Sequence, residues 1–110
     1  MGNLNREINL YEEGLHERLK DSAYAAEYLN AHLTDDGDHA VEAFLLAFRD
    51  VARAHGFANV AKKSHLGRES LYKALSKAGN PKIETLSNLL KTMGLKLSLE
   101  AKVVKRKRAS

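Results

Sequence analysis

Arg68, Glu69, Tyr72 and Lys73 place base-reading and phosphate-binding chemistry in one short stretch. An arginine can make two hydrogen bonds to a guanine edge, and a glutamate can accept one from cytosine. Lysine and tyrosine can serve either phosphates or bases. Asn59, Lys62, Lys63, Lys77 and Lys82 flank them and could contact a phosphate backbone. On a helix, positions 68, 69, 72 and 73 fall on one side, opposite Leu71, Ala74 and Leu75.

Other chemistries find no support in the chain. It contains no cysteine, which excludes disulfides, thiol catalysis and cysteine-bound zinc. His16, His32, His39, His55 and His65 form no His-x-x-x-His pair. Asp35, Asp36, Asp38, His39 and Glu42 are close in sequence, but the Gly and distal Glu of a calcium loop are misplaced. That stretch reads instead as a turn ending in a helix cap at Asp38. Ser70 beside Glu69 lacks an evident His–acid pair to activate it. A non-enzymatic chain without metal or cofactor is the expectation. Tyr24 and Tyr28 read as core or interface residues.

The candidate readers need rigid carriers. Residues 57–64 and 68–75 predict two short helices, separated by the turn His65-Leu66-Gly67. Such a pair is the helix-turn-helix unit: the first helix braces on the DNA backbone and the second enters the major groove. Ala61 is small enough for a close helix crossing. Val60, Leu66, Leu71, Ala74 and Leu75 are spaced as inner anchors.

The supporting elements are also mainly helical. Leu10, Tyr11, Leu15 and Leu19 suggest a short amphipathic helix near 11–19, with Gly14 costing it about 1 kcal/mol. Asp21 or Ser22 can cap a second helix carrying Tyr24, Tyr28 and Leu29 on one face. Val41, Phe44, Leu45, Phe48, Val51 and Ala52 form the buried stripe of a long helix over 39–55, closed by a left-handed Gly56. Residues 83–93 predict a further helix with Leu86, Leu89 and Leu90 inward and Gly94 as its stop. From Leu95 to Val103 the apolar period changes to two, predicting a strand. A second copy, a partner protein or residues 8–11 could pair with it.

Length and charge bound the assignment further. The 110 residues allow one domain. No apolar run reaches the roughly 18–20 residues of a membrane span, and the polar first 20 residues do not read as a secretory signal. A cytoplasmic setting is expected. Residues 1–56 carry 5 Lys/Arg and 11 Asp/Glu, a net of −6, whereas residues 57–110 carry 13 and 3, a net of +10. Opposite halves suit partners of opposite charge: nucleic acid for the basic half and a basic protein for the acidic half. Residues 105–108 end the chain as a basic tail.

The run Gly67-Arg68-Glu69-Ser70-Leu71-Tyr72-Lys73-Ala74-Leu75-Ser76, followed by Gly79-Asn80-Pro81, resembles the HigA-like addiction module antidote family. So do Ala25-Ala26-Glu27-Tyr28-Leu29-Asn30-Ala31 and Arg49-Asp50-Val51-Ala52-Arg53-Ala54-His55-Gly56. The resemblance covers about 15–100. The chain departs from it at His65, where the family commonly has Gly, and at Gly67, where it often has a Ser or Asn cap. The resemblance implies a lambda-repressor-like fold of five helices with a short C-terminal strand. It also implies an antitoxin that neutralises a small basic RelE/ParE-like toxin and represses its own operator; a homodimer is a separate expectation, from the unpaired strand over 95–103. A stand-alone transcription regulator is the alternative. On this reading 1–20 is an acidic segment for partner contact, 21–104 the helix-turn-helix domain and 105–110 the tail. Arg68, Glu69, Tyr72 and Lys73 would read bases, and Asn59, Lys62, Lys63 and Lys77 would hold phosphates.

Overall fold

A computed structural model describes residues 2–33, 39–76 and 79–101, with side chains from Leu10 onward. Six helices follow in order: α1 (Gly2–Arg18), α2 (Ser22–Leu33), α3 (Ala40–His55), α4 (Phe57–Ser64), α5 (Arg68–Ala74) and α6 (Ile83–Thr92). The mainly helical expectation holds. The expected short helix near 11–19 is instead a 17-residue helix that tolerates Gly14 in its interior.

The core is built around α3. Its Phe44, Leu45, Phe48, Val51 and Ala52 are buried, and the helix packs against α1, α2 and α4. Phe44 and Phe48 meet edge to face, with ring centroids 5.8 Å apart. Val41 is the exception to the predicted stripe: as the second residue of α3, it is 70% exposed. Leu19 is buried at the end of α1, with Leu15 packed beside the core, whereas Leu10 and Tyr11 face solvent. Leu29 from α2 and Leu89, Leu90 and Met93 from the α6 region complete this core.

The helix ends explain the chain's turns. Asp21 Oδ2 accepts a hydrogen bond from the Tyr24 N–H at 3.1 Å, so Asp21 is the cap of α2. Ser22 is used elsewhere: its Oγ donates to the Met93 carbonyl at 3.1 Å and ties α2 to the end of α6. His39, not Asp38, occupies the N-cap position of α3 and makes no side-chain cap bond; Asp38 lies outside the described residues. Gly56 has the expected positive φ of 91°, but its ψ of 108° is outside the left-handed helical well.

Beyond Gly94 the expected strand is not formed among the described residues. Residues 95–101 make no ladder, and Val103 lies outside them. Residues 8–11 cannot supply its partner, because their backbone lies within α1. No described helix is long and apolar enough to cross a membrane.

Candidate nucleic-acid interface

The α4–turn–α5 unit is held from below. Val60 and Ala61 on α4, and Leu71 and Leu75 on or just after α5, are 0–5% exposed, and Leu66 packs against the same core. Burying one such leucine contributes roughly 1.5–3 kcal/mol, so this face fixes the orientation of α5. The turn follows the Schellman pattern: Leu66 N–H donates to the Ala61 carbonyl at 3.1 Å, and His65 N–H to the Lys62 carbonyl at 3.3 Å. His65 adopts φ 63° and ψ 22°, the left-handed conformation usually given to glycine. Gly67 supplies an extended backbone before α5 but no side-chain cap.

A third helix braces this unit. Asn88 Nδ2 donates to the Ser64 carbonyl at 3.0 Å, satisfying an orphan acceptor at the C-terminus of α4. Sequence reasoning missed Asn88, because a polar residue reaching 24 positions back leaves no local signal.

The opposite face of the unit is polar and open. Arg68, Glu69 and Lys73 are exposed on α5, and Asn59, Lys62 and Lys63 are exposed on α4. Their side chains make no hydrogen bond or ion pair with other described residues. Tyr72 is different. It is 38% exposed, and its ring packs edge to face on buried Phe57, with centroids 4.4 Å apart. Tyr72 therefore braces α5 against α4 and can contact a ligand only from that fixed position. Lys77 lies outside the described residues; Lys82 is exposed.

Phe57 also links this face to the acidic half. The Arg53 guanidinium lies 6.0 Å from the Phe57 ring centroid, within cation–π range. Arg53 Nη1 is 3.8 Å from Asp50 Oδ1, and Asp50 Oδ2 accepts from the Tyr28 hydroxyl at 3.0 Å. Partial burial pushes the Tyr28 phenol up to about 12, with the Asp50 carboxylate adding to the shift.

Among the described residues there is no group of three His, Asp or Glu side chains able to hold a metal ion; Asp35, Asp36 and Asp38 lie outside them. A family model described as "probable addiction module antidote protein" matches residues 9–101. The chain belongs to this antidote family. Membership indicates an antitoxin role in a toxin–antitoxin module, and so a toxin partner. A protein of Haemophilus influenzae, described only as uncharacterized, is 37% identical over 73 residues, covering 66% of this chain and 72% of the relative. No solved structure matches. The matched segment of the antidote family includes α2 to α6 entirely, and with them the open face of α4 and α5.

Proposed function

We propose that the chain is a non-enzymatic cytoplasmic antitoxin of the HigA-like kind. It neutralises a small basic RelE/ParE-like toxin and, as a homodimer, represses its own operator through α4 and α5 acting as a phage-repressor-like helix-turn-helix. One observation carries the DNA-binding part. Arg68, Glu69 and Lys73 stand exposed and unpaired among the described residues, on a helix whose other face is anchored by fully buried Leu71. A rigid helix with open donors and an acceptor is what direct readout requires. Lys62 and Lys63, in the last turn of α4, give the charge that phosphate binding needs.

Gel shifts against the upstream DNA, with single-base operator variants, test this reading. Arg68→Ala should cost roughly 1–3 kcal/mol and relax discrimination at one base pair. Lys62→Ala should weaken all sequences alike and reduce the salt slope by about 1. Base discrimination untouched by Arg68→Ala would remove the reader assignment. Absence of any sequence-selective shift by the wild-type protein would remove operator binding altogether.

A further inference from the structure

We propose that residues 95–101 form an antiparallel two-stranded ribbon with the same residues of a second copy, centred on Ser98. This rests on the homodimer of the preceding reading and specifies how its two copies meet. The segment Leu95-Lys96-Leu97-Ser98-Leu99-Glu100-Ala101 complements its own reverse. Run antiparallel about Ser98, it sets Lys96 opposite Glu100 of the second copy, and Glu100 opposite Lys96. Leu97 then meets Leu99, and Leu95 meets Ala101. Apolar positions oppose apolar positions, and both charges in each strand find an opposite charge.

The neighbouring registers lose this match. Sliding the pairing so that Leu97 or Leu99 opposes itself leaves a charged residue opposite Ser98, and neither slide keeps Lys96 opposite Glu100. A one-residue slip would oppose the apolar face of one strand to the polar face of the other. A parallel in-register pair sets Lys96 against Lys96 and Glu100 against Glu100, placing like charges side by side.

The structure leaves this segment available. Leu95 N–H donates to the Leu90 carbonyl at 2.8 Å, which ends α6. From Lys96 to Ala101 no backbone hydrogen bond is made to described residues, although an unsatisfied strand edge is a standing template for another strand. Residues 96–101 are exposed, with Leu97 at 44% and Leu99 at 100%. Leu95 packs against the core, so the odd-numbered face of a strand continuing from it is the face turned to the molecule. Leu97 lines a groove of about 390 Å³ with Leu29, Leu33, Phe44 and Leu90, which Lys96 and Ser98 also border. In the proposed register, Leu99 of the second copy lies beside Leu97 at this groove. Two-fold pairing repeats the contact at the second copy. The groove is needed, because an isolated two-stranded ribbon is marginal in water.

Sedimentation equilibrium of the full chain, wild type and charge variants, tests the register. Lys96→Glu places like charges opposite each other twice per dimer, as does Glu100→Lys. Each should raise the dimer dissociation constant at least about tenfold. The double variant Lys96→Glu/Glu100→Lys restores both pairs and should return the constant to within about threefold of wild type. Circular dichroism checks that the variants keep their helices. Because the chain has no cysteine, Ser98→Cys offers a second readout. Opposite itself, it should form a disulfide-linked dimer under mild oxidation, faster than Leu99→Cys, which faces Leu97. A monomeric wild type at high concentration, single reversals without effect, or no rescue by the double variant would overturn the proposal. So would single reversals that weaken only toxin binding, which would assign the segment to the toxin. Operator binding is scored separately on the same proteins. Charge-swap rescue without operator binding would sink the repressor reading and keep the ribbon.

Discussion

A Cβ built at Gly79 would lie 2.7 Å from the Lys73 carbonyl oxygen and still closer to that of Ala74. These neighbours are backbone atoms at the end of α5, and they cannot rotate away as a side chain could. Gly79 itself donates its N–H to the Ser76 carbonyl at 2.8 Å, so the loop is pinned against the helix it follows. Glycine is required here by close approach. Gly79→Ala should therefore destabilise the protein by about 1–3 kcal/mol, the usual cost of overpacking. Thermal denaturation should show a fall of roughly 5–15 °C in Tm. A shift under about 2 °C would mean that the loop yields and the contact is soft. The Gly79-Asn80-Pro81 run could be read from sequence as a loop, but not as a site of backbone contact. The same holds for Tyr72, where residue type suggested a DNA contact and the structure adds a packing role on Phe57.

Two helices of this fold end in the same way with different residues. In α6, Leu95 N–H reaches the Leu90 carbonyl at 2.8 Å and Gly94 N–H the Lys91 carbonyl at 3.2 Å, with Gly94 at φ 77°. In α4 the equivalent position is His65 at φ 63°. A left-handed residue with a Cβ costs roughly 1–2 kcal/mol, part of which glycine returns through the entropy of its unfolded chain. His65→Gly should thus stabilise the domain by about 0.5–1 kcal/mol, read as a higher urea midpoint with unchanged slope. A lower midpoint would show that the His65 side chain makes a compensating contact. The elements themselves were largely legible. The 3, 4, 3 apolar spacing marks α3, and Gly56 and Gly94 mark two stops, because these signals are local. Val41 was misread because periodicity continues to the helix end whether or not anything covers it. The N-terminal half of α1 was missed because residues 2–9 are mostly polar, with Leu4 and Ile8 as their only large apolar residues. The strand was predicted from alternation alone, yet alternation describes a face and does not supply the second strand that a ladder needs.

At the scale of the whole molecule, charge is divided between regions that share one core. The acidic half includes α1 to α3, and the open basic face lies on α4 and α5. Long-range fields of opposite sign can steer two partners to different places without contact between them. On α1, Glu12, Glu13, His16 and Glu17 line one shallow surface. Glu17 is already engaged: its carboxylate accepts from Lys20 Nζ at 2.9 Å, and that bond holds its pKa below the usual carboxylate range. Glu12 and Glu13 have no such partner among the described residues and are exposed beside Tyr11, itself 66% exposed. If α1 steers the basic toxin of the proposed module, those two carboxylates carry the local field. The double variant Glu12→Gln/Glu13→Gln should then slow toxin association about three- to tenfold at low salt, and the difference should fade as ionic strength rises. Stopped-flow association and operator gel shifts on the same protein separate the two surfaces. Operator affinity should stay within about twofold, because the Debye length of about 10 Å at 0.1 M salt isolates exposed charges at larger separations. Unchanged toxin association would remove α1 from the encounter surface. A matching loss of operator affinity would show that the two ends are coupled through the core they share, with the path from Tyr28 through Asp50, Arg53 and Phe57 to Tyr72 as the first place to look.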